Sequence, residues 1–237
     1  MLGVLGGMGP LATADFFTKL VQVTPAESDA DHIPVVISCE PQIPSRPKAY
    51  FDPEGEPSPL PALRVRRDRL IAAGARRIVI PCNTAHYWFD ALTADSPVSF
   101  IHIVHATADM IDARGVKGAV LGLIGTEPTL HGKLYEAPLT ERGYRCQTAS
   151  DDIMQRLVRP GINHVKANRM EAAEPLFREA VETMMADGAE IVILGCTEVP
   201  AGLPMADPWV RARTIDPNEA LARAACAWAL GERARAG

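Results

Sequence analysis

The sequence has few aromatic residues, no long apolar run and no excess of positive charge. Aromatic side chains make up 5% of its 237 residues. No segment reaches the roughly 18 consecutive apolar residues that a membrane span needs. The formal net charge is −5, so the overall field favours neither nucleic acid nor an anionic membrane surface. We therefore expect a protein that binds no nucleic acid and no membrane.

Cysteine is also scarce, and it follows no ligand pattern. The five cysteines are widely scattered, and none belongs to a CxxC motif. An odd, dispersed set argues against both a disulfide framework and a zinc ribbon, so no metal site is expected. The start "MLGVLGGMGP" has no basic flank and carries glycines where a signal peptide would be apolar. It therefore predicts the first strand of the mature fold and a cytoplasmic location.

Short apolar runs alternate along the chain with longer helix-like segments. This alternation is typical of α/β proteins in which helices cover both faces of a parallel sheet. The predicted strands are 2–5, 33–38, 77–81, 99–104, 118–124, 190–195 and 212–215, and the clearest predicted helices are 60–73, 168–187 and 217–231.

Residues 41–61 break this alternation. They contain seven prolines in 21 residues, which predicts neither a helix nor a central strand. A loop of this length is either a disordered excursion or a functional lid. We favour a lid, because Tyr50 and Phe51 could anchor it and would place Arg46 near a ligand.

An internal repeat is the most informative feature of the sequence. The segment "GARRIVIPCNTA" is echoed by "GAEIVILGCTEV", and in each a glycine stands eight residues before a cysteine, Gly74 before Cys82 and Gly188 before Cys196. The repeat predicts two pseudo-symmetric α/β domains, the first formed by 1–104 plus 212–237 and the second by 105–211. Each domain would present one cysteine at the carboxyl end of a strand, where parallel sheets bind ligands.

Two such cysteines predict a specific chemistry. If the active site lies in the cleft between the domains, Cys82 and Cys196 approach one ligand from opposite sides. Racemisation needs this arrangement, because a base removes a proton from one face of a carbon and an acid returns one to the other face. Thiol pKa values near 8.5 fall at helix N-termini, so a thiolate and a thiol could coexist near neutral pH. Short donors beside this site could hold a substrate carboxylate: Asn83, Thr84, Thr126 and Thr197.

Four segments, "LGVLGGMGPLAT", "PQIPSR", "PCNTAH" and "LGCTE", resemble the signature segments of the aspartate/glutamate racemase family, amino-acid racemases that work without pyridoxal phosphate. The resemblance implies a two-domain α/β isomerase, often a homodimer, that needs no cofactor and acts on an amino acid, with acidic ones preferred. It maps the catalytic pair onto Cys82 and Cys196. It maps the substrate contacts onto Met8, Asn83, Thr84, Thr126 and Thr197, and the side-chain carboxylate contacts onto Arg46 and Lys166.

Two further residues are candidates for tuning the thiols, His86 beyond Cys82 and Glu198 beyond Cys196. The alternative use of histidine, a metal pair of His102 and His105, is disfavoured because the two are predicted on different elements. The segment "GMGPLA" fits a dinucleotide fingerprint, but Glu40, the acidic residue it would need, comes too late in the chain.

Three hypotheses stay open from the sequence. The first is a cofactor-independent racemase of acidic or a broader range of amino acids. The second is a superfamily relative such as a maleate isomerase, a hydantoin racemase or a single-cysteine arylmalonate decarboxylase. The third is a redox role in which Cys82 and Cys196 form a disulfide. Residues 39, 40 and 128 depart from the family pattern, which leaves the substrate more open than the reaction.

Overall fold

The computed structural model describes residues 1–236, and the chain divides into two compact units. The first unit comprises Met1–Ala106 together with the chain from Asn218 onward, and the second comprises Thr107–Pro217. None of the described helices is both long enough and apolar enough to cross a membrane.

The first unit is built on a four-stranded parallel sheet in the order β2-β1-β3-β4. Its strands are β1 (Leu2–Gly6), β2 (Val35–Cys39), β3 (Arg77–Val79) and β4 (Ser99–Ile101). Its helices are α1 (Pro10–Val23), α2 (Arg46–Phe51), α3 (Leu60–Ala72), α4 (Phe89–Thr93), most of α13 (Pro217–Ala236) and the start of α5 (Ile103–Ala113), with 3₁₀ turns at Asp29–Asp31 and Thr84–Trp88.

The second unit repeats the same sheet. Its four parallel strands follow the order β6-β5-β7-β8. They are β5 (Val120–Gly125), β6 (Arg145–Thr148), β7 (Ile191–Gly195) and β8 (Thr214–Ile215). Its helices are α6 (Glu127–His131), α7 (Glu136–Glu141), α8 (Asp151–Ile153), α9 (Arg159–Lys166), α10 (Met170–Ala186), α11 (Glu198–Ala201) and α12 (Pro208–Arg213), with a π-helical turn at Met154–Val158. The predicted pair of parallel α/β sheets is confirmed.

The sequence repeat has a clear structural origin. Gly74 follows α3 with φ +94°, and Gly188 follows α10 with φ +102°. In both places the next residue closes the helix with a backbone hydrogen bond, from Ala75 N–H to Leu70 O and from Ala189 N–H to Met184 O, each 3.0 Å long. Both helices therefore end in the same left-handed glycine turn, which leads the chain into β3 or β7.

The predicted second boundary between the domains differs from the observed one. The prediction gave residues 212–215 to the first domain, but β8 pairs with β7 through Val192–Thr214 and Ile193–Ile215. The short α12 ends directly before β8 and returns the chain to the second sheet. An isolated apolar run does not show which sheet it will join, so the sequence alone could not place this crossing.

The proline-rich segment is also more regular than predicted. Helix α2 lies inside it, and α3 begins at Leu60. Ser45 accepts a hydrogen bond from Lys48 N–H, and Pro47 occupies the first turn of α2, where a missing N–H costs nothing. Tyr50 packs edge-on against Tyr87 with ring centroids 4.8 Å apart. Phe51 packs on Tyr50 but stays 54% exposed, and the lid itself stays a prediction.

Candidate active site

Cys82 lies in a tight turn just beyond β3. Pro81 has no N–H for the sheet ladder, and β3 ends before it at Val79. The Cys82 N–H then donates to Ile80 O at 2.8 Å. The side chain of Cys82 is 5% exposed, and Asn83 and Thr84 beside it are also buried. The three residues predicted to act together in this half are therefore consecutive and share one buried turn.

His86 holds this turn through its ring nitrogens. Its Nδ1 lies 2.9 Å from Cys82 O, and Ile103 N–H donates to its Nε2 at 3.2 Å. Because Nε2 accepts, the ring proton is on Nδ1, which donates to the Cys82 carbonyl. Burial lowers the pKa of His86 to about 4, so the ring is neutral near pH 7. These contacts tie His86 to the backbone of the cysteine turn, whereas the sequence suggested a partner for the thiol.

His102 and His105 extend a cluster of aromatic rings beside His86, with His102 edge-on to His86 and stacked on His105. His102 lies between β4 and α5, with its ring 4.6 Å from both His86 and His105. Burial, followed by the neighbouring histidine charges, lowers the pKa of His102 to about 2. Across residues 1–236 no group of three or more His, Cys, Asp or Glu side chains could hold a metal ion.

Cys196 stands directly after β7, and its thiol has a carboxylate partner. The side chain is 4% exposed, and its Sγ donates to Glu198 Oε2 at 2.9 Å. Burial and the Glu198 charge raise the pKa of Cys196 well above its ordinary value, while Lys166 acts weakly in the opposite direction. The thiol of Cys196 is therefore protonated at neutral pH. Glu198, predicted as a tuning residue, lies within hydrogen-bond reach of it.

Threonine hydroxyls line the strand ends of the second unit. Thr126 is the N-cap residue of α6, and its Oγ1 lies 2.9 Å from Thr129 Oγ1. Thr197 is buried beside Cys196. Pro128, one of the departures from the family pattern, occupies the first turn of α6 and fits there without loss of a hydrogen bond.

Met8 belongs to the turn between β1 and α1, and this turn is held by Thr13. The hydroxyl of Thr13 accepts from Gly7 N–H at 2.9 Å and donates to Gly9 O at 2.9 Å. Met8 itself is buried in the core of the first unit. Glu40, a second departure from the family pattern, forms an ion pair with Arg66 at the edge of the same unit.

The two cations predicted to contact a side-chain carboxylate differ in how firmly they are held. Arg46 Nη1 donates to the carbonyl oxygens of Ile43 and Pro44, each at 3.0 Å. Its Nε is buried and has no hydrogen-bond partner among the described residues. Lys166 lies exposed at the last position of α9. The guanidinium of Arg46 is thus anchored through Nη1, whereas Lys166 is exposed.

Sequence reasoning missed Thr13 and Thr129, although a signal was present. Both follow a proline in the first turn of the helix after the first strand of their unit, in "GPLAT" and "EPT". All five cysteines are free thiols in the structure, with Cys39 exposed and Cys226 buried against Val23 O.

Comparison with known proteins gives a consistent result. The Asp/Glu/Hydantoin racemase family matches residues 5–225. The chain is 30% identical over 210 residues to a broad-specificity amino-acid racemase of Bacillus subtilis, covering 86% of this chain and 87% of that one. The structure of Picrophilus torridus aspartate racemase superposes with a TM-score of 0.84 at 32% identity, covering 96% of this chain and 93% of that chain. Francisella tularensis glutamate racemase, at 16% identity, 98% and 81% coverage and a TM-score of 0.66, shares the fold.

Proposed function

The chain belongs to the Asp/Glu/Hydantoin racemase family, and we propose that it is a cofactor-independent amino-acid racemase that uses Cys82 and Cys196 at the α-carbon. One observation carries the proposal. In two sheets of identical strand order, an inner strand leads within three residues to a buried cysteine that is followed by a buried polar residue. The sequences around the cysteines repeat, so the two units supply the same chemical group from equivalent positions.

The proposed reaction moves one proton off the substrate and one proton on. A cysteine thiolate takes the α-proton, and the electrons of the broken C–H bond delocalise into the substrate carboxylate. The other cysteine gives its thiol proton to the opposite face of the carbon, which inverts the centre and exchanges the state of the two sulfurs. The reverse reaction uses the same groups in exchanged roles. The proposal therefore requires both thiols to reach one substrate carbon.

The contacts of Cys196 support an assignment of the resting protonation states. Its thiol donates to Glu198 at 2.9 Å, and its raised pKa keeps it protonated. We assign Cys196 as the acid of the resting enzyme and Cys82 as the base. Once Cys196 has given its proton to the substrate it holds the thiolate, and in that state it is the base of the reverse reaction, with Cys82 as the acid.

Replacing Glu198 tests this assignment. Burial and the Glu198 charge together raise the pKa of Cys196, and Glu198→Gln removes the second of these causes, so the thiolate fraction at pH 8 should increase. Iodoacetamide should then alkylate Cys196 several-fold faster, as followed by mass spectrometry of its peptide, while racemisation slows. Glu182→Gln, on an exposed position of α10, is the matched control. An unchanged alkylation rate at Cys196 would contradict the assignment of Glu198.

We further propose that acidic amino acids are preferred, with Arg46 and Lys166 facing the distal carboxylate. The fork of Arg46 suits a carboxylate because parallel N–H donors can bind both of its oxygens. One relative is named a broad-specificity racemase and another an aspartate racemase, so neutral amino acids belong in any test. A cytoplasmic homodimer that needs no pyridoxal phosphate is part of the same proposal.

Proton NMR in heavy water provides the first test. Reduced enzyme without added pyridoxal phosphate is incubated with a panel of L-amino acids led by aspartate and glutamate. Loss of the α-proton signal, with the D-isomer appearing on chiral chromatography, is the expected result. Maleate and a 5-substituted hydantoin complete the panel. If the enzyme converted maleate or the hydantoin and exchanged the α-proton of no amino acid, the proposed reaction would be replaced by that of a superfamily relative.

A further inference from the structure

Each unit contains a buried threonine in the first helix after its first strand. Thr13 is the fourth residue of α1, and Thr129 is the third residue of α6. In both, the backbone N–H donates to the carbonyl of the residue that precedes the helix, from Thr13 to Gly9 O at 3.1 Å and from Thr129 to Thr126 O at 2.9 Å. Both side chains are at most 3% exposed.

The hydroxyl of Thr13 fixes both ends of the Met8 turn. It accepts from Gly7 N–H and donates to Gly9 O, so it uses both its acceptor and its donor on the turn. The side chain also packs so closely on the end of β1 that a Cβ on Gly6 would come within 2.4 Å of Thr13 Cγ2. A substituted residue at position 6 would therefore displace the threonine from the turn.

The hydroxyl of Thr129 acts on a side chain instead. Its Oγ1 lies 2.9 Å from Thr126 Oγ1, so the two hydroxyls share a hydrogen bond. The methyl group of Thr129 faces the end of β7, where a Cβ on Gly195 would lie 3.6 Å from Thr129 Cγ2. Thr129 thus bonds to Thr126 on one side and faces the residue before Cys196 on the other.

We propose that Thr13 and Thr129 are equivalent positioning residues of the two units. Each hydroxyl orients the substrate-binding group that follows the first strand, the Met8 turn in the first unit and the Thr126 hydroxyl in the second. A Thr126 hydroxyl that accepts a hydrogen bond from Thr129 donates its own proton more strongly to a carboxylate, because hydrogen bonds in a chain polarise one another. This inference rests on the proposed racemase function, in which the turn and Thr126 contact the substrate.

Valine and serine substitutions separate positioning from packing. Valine keeps the shape of threonine and removes the hydroxyl, whereas serine keeps the hydroxyl and removes the methyl group. Thr129→Val should raise KM about 5- to 10-fold, the loss typical of one hydrogen bond, with kcat changed less. Thr129→Ser should keep a KM within about 3-fold of wild type even where its melting temperature falls, because only packing is lost.

Thr13→Val should raise KM in the same way. Thr13→Ser keeps the hydroxyl and should therefore keep a KM close to that of the wild type. Because Thr13→Val also leaves Gly7 N–H without its acceptor, Thr129→Val is the variant that keeps the test open if Thr13→Val folds poorly. Thr18→Val and Thr183→Val are matched controls, since their hydroxyls bond only to carbonyls of their own helices in the described contacts. Both should leave KM unchanged.

Steady-state racemisation and thermal melting of all six variants and the wild type distinguish the outcomes. A KM that follows the hydroxyl, and not the melting temperature, supports the inference. An active wild type with unchanged KM in both valine variants overturns it and leaves the proposed function standing. A wild type that exchanges no α-proton with any amino acid overturns the proposed function, and the inference falls with it.

Discussion

The guanidinium of Arg46 is held by its own turn. Nη1 donates to two backbone carbonyls, so the side chain has little rotamer freedom left to lose in the proposed contact with a carboxylate. A cation fixed in this way can discriminate between substrates by charge, because a carboxylate gains a charge-assisted hydrogen bond there and a methyl group gains none. Under the proposal, Arg46 therefore controls the preference between acidic and neutral substrates.

Replacing Arg46 by alanine should affect acidic and neutral substrates differently. Arg46→Ala should raise KM for aspartate and glutamate about 10- to 100-fold, the loss expected for hydrogen bonds to a charged group, and change KM for alanine little. Arg46→Lys keeps the charge without the fork, so its KM for aspartate and glutamate should lie between those of the wild type and Arg46→Ala. Arg69→Ala, on an exposed position of α3, is the control. An equal rise in KM for acidic and neutral amino acids would show that Arg46 does not bind the side-chain carboxylate.

His86 gives the first unit a dependence on pH. Its pKa is lowered from the ordinary 6.5 to about 4, so the folded state binds fewer protons than the unfolded state between these values. The contribution of His86 to stability is fully present above pH 6.5 and is lost as the pH falls toward 4. Protonation of Nε2 also removes the acceptor that Ile103 N–H uses.

The measurement is denaturant unfolding of wild type and His86→Asn between pH 7.5 and 4. The wild-type free energy of unfolding should fall across this range by on the order of 2–3 kcal/mol more than that of the variant, because asparagine does not titrate. Asparagine can place a donor near the position of Nδ1 and keep part of the turn. If the free energy of unfolding fell with pH by the same amount in both proteins, the pKa of His86 would not differ between the folded and unfolded states.

At the scale of the elements, the glycine turns after α3 and α10 are the strongest test of the internal repeat. A Cβ at Gly188 would meet nothing within 4 Å, and one at Gly74 would meet only Met1 Cε at 4.0 Å. The cost of alanine at these positions is therefore a backbone cost. Gly74→Ala and Gly188→Ala should each lower the free energy of unfolding by about 1–2 kcal/mol.

Asparagine provides the control, since it tolerates positive φ better than alanine does. Gly74→Asn and Gly188→Asn should each recover part of the loss in the same chemical denaturation experiment. Because the two turns have the same hydrogen bonds, the two alanine variants should also agree with each other. A large difference between them would mean that the repeated sequence does not produce equivalent structures.

The elements also show what the sequence could predict. The repeated glycine-to-cysteine segment was readable because a left-handed turn requires glycine and a buried strand requires apolar residues. Strand β6 was missed because "RCQT" is short and half polar, and β8 was given to the wrong sheet because strand pairing is non-local. A high proline content predicts no helix, but α2 forms because its proline lies in the first turn, where proline is tolerated.

The candidate site also has features that the local sequence predicts and features that only the fold determines. Motifs identified Cys82 and Cys196, whose proposed roles depend on the chemistry of their own side chains. The role of His86 depends on which backbone groups its nitrogens meet, Cys82 O and Ile103 N–H, and Ile103 is distant from it in the chain. Thr13 and Thr129 act through other residues, and such contacts are set by the fold and leave only a weak pattern in the sequence.

At the scale of the whole molecule, the proposal assigns one proton transfer to each unit. Serine in place of either cysteine barely changes the volume of a buried side chain but removes a group that can ionise near neutral pH. Cys82→Ser and Cys196→Ser should therefore fold and each lose racemisation by about 100-fold or more, the usual contribution of a proton-transfer group. Cys226→Ser, at a buried cysteine of α13, is the matched control and should keep full activity.

The remaining cysteine in each variant can still remove and return a proton on its own face of the substrate. Each variant should then exchange the α-proton of one enantiomer with heavy water faster than that of the other, and the preferred enantiomer should be opposite in the two variants. Proton NMR with separate L- and D-aspartate samples measures this directly. If both variants favoured the same enantiomer, the two cysteines could not serve opposite faces, and the equivalence of the two units would be limited to their folds.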